Sequence, residues 1–299
     1  MEYRYYTCDV FTDARFGGNP LAVLPSAEGL SEGQMQQIAR EFNLSETAFV
    51  FPASLGHTRH VRIFTPAHEI PFAGHPNVGT AFVLAVAGEL GEIRSSLTVT
   101  FEEKAGLVPV TIQEAGGRMT SCELAAPRAF SLGKVLPARL LASTLSLGEE
   151  DIVVKTHPPQ VASVGLPFVM TELRDLSALE RARANISGFE SLLAEDVQPS
   201  IFMYTRAADR FEVRARMFAP LSGVPEDPAT GSAGCALAGM LAQLEKEPSG
   251  AFRWRITQGV EMGRPSILLA RAEKNGGFVE KTLIGGACVL VSEGLIHVD

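Results

Sequence analysis

The chain has 299 residues, of which 46% are hydrophobic and 20% charged, with a formal net charge of −8. That length suits one large domain or two of about 150 residues, and the scattered Lys and Arg, with no basic run, leave no electrostatic footprint for nucleic acid. The opening MEYRYYTCDVFTD lacks an apolar signal core, the most apolar stretch (81–87) is far too short for a bilayer, and Cys8, Cys122, Cys235 and Cys288 show no metal-ligand spacing. The expectation is a cytoplasmic protein with reduced thiols, no membrane span and no metal.

Residues 3–10 read as a strand, a turn follows at Gly17-Gly18-Asn19-Pro20, and 21–24 form a short apolar strand. Ser31 opens a helix with Glu32 in its first turn and a stripe of Met35, Ile38 and Ala39. Strands over 47–51 and 60–65 lead to a turn ending in Gly74-His75. Residues 77–90, NVGTAFVLAVAGEL, predict a helix with almost no polar face, which belongs inside a core. Strands near 93–101 and 107–112 follow, and Gly116-Gly117 marks the expected boundary. Beyond it come strands near 119–124, 161–170 and 201–205, helical segments over 136–146 and 176–193, and a strand over 210–218 with Phe211, Val213, Ala215 and Met217 alternating. A second apolar helix spans 233–244, followed by strands near 253–260, 265–272 and 278–284. The last strand, 287–291, could pair with either half.

One theme is written twice. Residues 62–81, RIFTPAHEIPFAGHPNVGTA, parallel 216–238, RMFAPLSGVPEDPATGSAGCALA: a strand with Arg and Phe, a Pro-containing turn, a glycine, then an apolar helix. The predicted fold is therefore α+β, with two similar halves, each a mixed, mostly antiparallel sheet curled around a central apolar helix. An active-site cleft is expected between them. The expected halves are 1–117, which the C-terminal segment 287–299 could join, and 118–286.

Gly74 and Gly231 introduce the two helices, where backbone N–H groups at a positive helix end could hold a carboxylate. They could equally serve only the tight turn. His75 is placed by that helix start to be neutral near pH 7 and fit for proton transfer. Asp227, in Pro225-Glu226-Asp227-Pro228, and Ser232, four residues after Pro228 as His75 is after Pro71, match ordinary turn and N-cap chemistry as well as a site. Nothing in local pattern selects Glu46 over Glu41 or Glu69. The remaining histidines, His57, His60, His68, His157 and His297, show no metal-like spacing, and no nucleophile elbow, P-loop or dinucleotide fingerprint is present.

The segments DVFTDARFGGNPLAV (9–23), NLSETAFV (43–50), FTPAHEIPFAGHPNVG (64–79), FAPLSGVPEDPATGSA (218–233) and Gln258-Gly259 resemble the PhzF family of phenazine-biosynthesis-like proteins. That family is similar in fold to diaminopimelate epimerase and proline racemase. Those racemases carry a cysteine just before each turn glycine, where this chain has Ala73 and Thr230. The resemblance implies a cofactor-independent isomerase of small amino- or hydroxy-carboxylates, cyclic ones included. It makes Glu46 the residue that moves the proton, His75, Asp227 and Ser232 the groups that orient the substrate, and the N–H groups at Gly74 and Gly231 the holders of its carboxylate. It also implies a homodimer. The alternatives are an epimerase or racemase using Glu46 and Asp227, and a non-catalytic small-molecule-binding or protein-interaction protein.

Overall fold

A computed structural model describes residues 1–207 and 212–299, and the chain divides into two compact units, Met1–Pro127 with Gly285–Asp299, and Arg128–Ile284. In the first unit the elements are β1 (Glu2–Val10), β2 (Asn19–Leu24), α1 (Glu32–Phe42), β3 (Glu46–Phe51), β4 (Arg59–Phe64), β5 (Glu69–Ile70), α2 (Gly74–Val86), β6 (Ser96–Glu103), β7 (Gly106–Ala115) and β8 (Arg118–Ala125). The chain's final strand, Cys288–His297, also belongs here and pairs antiparallel with β1. Gly116-Gly117 turns β7 into β8, its antiparallel neighbour, and the unit continues to Pro127.

The second unit holds β9 (Ser131–Val135), α3 (Ala138–Thr144), β10 (Gln160–Ser163), β11 (Pro167–Glu172), α4 (Leu176–Arg181), α5 (Ile186–Ala194), β12 (Ile201–Arg206), β13 (Glu212–Ala219), β14 (Val224–Asp227), α6 (Gly231–Leu244), β15 (Gly250–Gln258), β16 (Ser266–Asn275) and β17 (Phe278–Gly286, whose last two residues fall in the first unit). Arg210 and Phe211 of the expected 210–218 strand lie outside the described residues.

The two units repeat one pairing scheme. In the first, β1–β2 is antiparallel, β2–β3 parallel, β3–β4 and β4–β5 antiparallel, β4–β6 parallel and β6–β7 antiparallel. In the second, β10–β11, β11–β12, β12–β13, β13–β14, β13–β15 and β15–β16 follow the same order of senses. A helix lies between the short β5 or β14 strand and the next parallel strand in each. Both helices are buried along most of their length, from Gly74 to Leu84 in α2 and from Ala233 to Ala242 in α6. Such helices take their stability from burial on all sides rather than from one apolar stripe. Gly79 shows how close the packing is: a Cβ there would meet Leu21 Cδ2 at 2.6 Å and Val10 Cγ2 at 2.7 Å.

Several expected elements change at their ends or divide. The first apolar helix opens at Gly74, earlier than 77, and stops at Val86 before Gly88, whose φ of +78° breaks the helix. The second opens at Gly231, not 233. The expected 161–170 strand is a hairpin, with Ser163 opposite Pro167 across Gly165 at φ +132°. The expected 176–193 helix divides into α4 and α5, because the chain between them bonds elsewhere: Arg183 N donates to Leu145 O and Asn185 N to Thr144 O. Ser31 does cap α1, accepting from Gln34 N in a reciprocal capping box.

Candidate active site

Strand register places the residues of the doubled motif in equivalent positions. Thr47 pairs with Phe64 and Ile201 with Phe218. Ile63 pairs with Ile70 and Met217 with Asp227. Asp227 therefore occupies the place of Ile70, Thr230 that of Ala73, and Ser232 that of His75. By the same register, Ser200 of the second unit occupies the place of Glu46.

In the first unit, Glu46 is the first residue of β3 and His75 the second of α2. His75 Nε2 lies 3.4 Å from Glu46 Oε2, although 29 residues separate them; their side chains are 7% and 17% exposed. Burial alone lowers the His75 pKa from 6.5 to about 3. The imidazole is therefore neutral, and its contact with Glu46 is a close approach of two buried polar atoms rather than an ion pair. No side chain caps α2, since Ala73 has none to offer. The first-turn N–H groups of Gly74 and His75 thus keep the positive end of the helix uncovered by a cap.

In the second unit, Asp227 ends β14 and is 9% exposed. Its Oδ2 accepts from Thr230 Oγ1 at 2.5 Å, and its backbone carbonyl accepts from Gln258 Nε2 at 2.8 Å. Gly231 is the first residue of α6 and Ser232 the second; the N-cap is Thr230, so Ser232 does not hold the cap position that its type suggests. Ser232 is half-buried.

Spacing arguments give Gln258 and Thr230 no role, and the resemblance marks only a matching Gln258-Gly259 and a cysteine missing at Thr230. Glu103 escapes them altogether. It is the last residue of β6, as Gln258 is of β15. His60 pairs with Glu102 in parallel, so one residue on Glu103 falls beside Val61, the place Gln258 holds beside Ala215. Both Glu103 carboxyl oxygens are buried, with the Asn77 side chain beside them. Burial pushes this carboxyl up to about 8, so it is protonated at neutral pH. The parallel register is the signal that would have found both residues.

Among the described residues no three His, Cys, Asp or Glu side chains gather as metal ligands, and no helix is long and apolar enough to cross a membrane.

The repeated α+β unit with an apolar helix inside its sheet is the fold of epimerase-like proteins: a hydroxyproline epimerase from Agrobacterium vitis matches with TM-score 0.63 at 14% identity, over 99% of this chain and 92% of that one. More narrowly, residues 8–294 match the family model for phenazine biosynthesis-like protein. A trans-2,3-dihydro-3-hydroxyanthranilate isomerase from Pseudomonas aeruginosa is 36% identical over 293 residues, covering 98% of both chains. The crystal structure of a PhzF-family phenazine biosynthesis protein from Bacillus anthracis matches with TM-score 0.89 at 27% identity over 100% of each chain. The chain belongs to the phenazine biosynthesis-like (PhzF) family, and it is an isomerase.

Proposed function

We propose that this isomerase moves a proton on a small amino- or hydroxy-carboxylate, cyclic ones included, by general acid/base catalysis with Glu46 and without a cofactor. The observation that carries the reading is the Glu46–His75 contact at 3.4 Å, at the uncapped start of a buried helix. A carboxylate that abstracts a C–H proton gains basicity from partial desolvation, and it is helped by a second need, a neighbour that can share the proton. A neutral His75 meets the second need, since it can donate to a carboxylate or accept from a carboxylic acid. Glu46 takes the proton from one carbon and returns it to another, so the reaction is redox-neutral and the enzyme is unchanged at its end.

Asp227 and Ser232 are proposed to orient the substrate, and the N–H groups at Gly74 and Gly231 to hold its carboxylate, in the manner of an oxyanion hole. Support for this comes from the doubled motif and from the family resemblance. The resemblance also carries the proposals of a homodimer, which light scattering on the purified chain checks, and of a cytoplasmic location.

The test is solvent exchange. The protein is incubated in deuterated water with a panel of small carboxylates that begins with trans-2,3-dihydro-3-hydroxyanthranilate, the compound named for the Pseudomonas aeruginosa relative. Deuterium at a substrate carbon, with a double bond or hydrogen relocated, is the expected result. Label incorporated with inversion at one carbon would instead identify an epimerase. Binding without label across the panel would contradict catalysis.

A further inference from the structure

Thr230 stands at the N-cap of α6, where a hydroxyl ordinarily accepts from the first helical N–H groups. No side chain caps this helix, and Thr230 Oγ1 donates to Asp227 Oδ2 at 2.5 Å. The reason lies with Gln258, a fully buried residue (0% exposed) at the end of β15. The Thr230 backbone N–H donates to Gln258 Oε1 at 3.1 Å, which fixes the oxygen end of the amide. The nitrogen end then donates to the Asp227 carbonyl at 2.8 Å and to Thr230 Oγ1 at 3.0 Å. Because Oγ1 accepts from Gln258, its one hydrogen is directed at the Asp227 carboxylate. The donors run in one direction, from amide to hydroxyl to carboxylate, and each polarises the next.

Backbone geometry keeps Gln258 in reach. Gly259 follows it at φ +74°, and a Cβ there would meet Arg264 O at 2.5 Å and Pro228 O at 2.6 Å. Only glycine lets the end of β15 lie this close to the Asp227-Pro228 turn.

We propose that Thr230 and Gln258 are positioning residues for the isomerisation, holding the Asp227 carboxylate in one orientation, with Thr230 serving as a relay at the place where related racemases carry a thiol. The proposal rests on the reading that Asp227 orients the substrate. Neither residue touches the reacting carbon; both act through Asp227.

The test combines crystal structures with kinetics for Thr230→Val, Thr230→Ser and Gln258→Met. In Thr230→Val the Asp227 carboxylate is expected to leave its present direction, and in Thr230→Ser to keep it. With trans-2,3-dihydro-3-hydroxyanthranilate as substrate, Thr230→Val is expected to lower kcat about 10²-fold with KM little changed, the size of a positioning loss, and Thr230→Ser to restore most of it. Gln258→Met, of similar length but without a donor, gives the same displacement and covers the case in which Thr230→Val does not fold. An unmoved carboxylate in these variants overturns the proposal whether or not this compound is turned over. Full activity of Thr230→Val beside an inactive Glu46→Gln also overturns it, and leaves the proton-transfer reading standing. Activity that survives in Glu46→Gln would overturn that reading instead.

Discussion

The two units share a frame and differ at nearly every polar position that the frame presents. Arg62 and Arg216 are the shared part. Each reaches across its hairpin to a glutamate five residues before the helix glycine: Arg62 Nε to Glu69 Oε1 at 2.8 Å, and Arg216 Nε to Glu226 Oε1 at 2.8 Å. Each also lies over a phenylalanine two residues on, 5.2 Å from the Phe64 centroid and 4.8 Å from that of Phe218. These clamps hold the turn that aims the helix start. At the positions so aimed, the first unit carries Glu46, Ile70, Ala73, His75 and Glu103, and the second carries Ser200, Asp227, Thr230, Ser232 and Gln258. A duplicated scaffold thus keeps its structural ion pair twice and its proposed proton-moving pair once. The second copy has a network in which a carboxylate is held still.

The largest stability effect is expected where the shared clamp is most buried. Arg216, 4% exposed, also donates to the carbonyls of Leu179 and Ala182 at 2.8 and 3.0 Å, so it ties α4 to the repeat. Arg216→Leu would strand Glu226 and both carbonyls, a loss of about 3–5 kcal/mol. Arg62 is more exposed, and Glu69 keeps Lys104 as a second partner, so Arg62→Leu should lose clearly less. Urea titration of both variants gives the ranking, and equal losses would mean the two clamps are not distinguished by burial.

Glu103 can ionise and Gln258 cannot, and Glu103→Gln makes the first copy like the second. In the unfolded chain this carboxyl ionises above 4.5, whereas in the folded state it stays protonated until about 8. Its raised folded pKa means that stability is fully present below 4.5 and falls as pH rises towards 8. Replacing it with Gln should therefore stabilise the protein by on the order of 3 kcal/mol at pH 7, with no gain at pH 4. Melting temperatures across pH 4–8 test this, and parallel curves for the two proteins would refute the buried-acid assignment.

His75 has the opposite sign. Its folded pKa is lowered to about 3, so it stays neutral in the fold while the unfolded chain protonates it below 6.5. Stability should fall by about 2 kcal/mol as pH drops from 7 to 5, and His75→Asn should flatten that slope. The counterpart Ser232 contributes no such term.

The last effect concerns the helices. Ala236 stands where the first unit has Gly79, yet a Cβ at Gly79 would strike Leu21 and Val10. Gly79→Ala should cost about 1–3 kcal/mol by overpacking. A neutral result in thermal unfolding would show that the first core yields more readily than its geometry implies.

The repeated strand–turn–helix was legible in the sequence because its signals are local: a Pro-containing turn, a glycine, and an apolar run with no polar face. Most of the longer strands were legible from apolar alternation between turns, though their pairing was not. The hairpin at Gly165 and the break between α4 and α5 did not, because one rests on a single glycine at positive φ and the other on carbonyls 38 to 41 residues upstream in the chain. Glu46 was reachable only through the family resemblance, since its proximity to His75 depends on β3 and the start of α2 meeting across 29 residues. Gln258 and Glu103 depend on parallel register, which no local pattern encodes.

The most direct test of the divided roles is Glu46→Gln, whose amide is nearly the same shape as the carboxylate but cannot take a proton. It is compared with wild type for deuterium incorporation into whichever carboxylate the wild type labels. Loss of exchange by about 10²-fold or more, with substrate binding retained, is expected if Glu46 moves the proton. Exchange at the wild-type rate would contradict it and send the search for the base to the second unit.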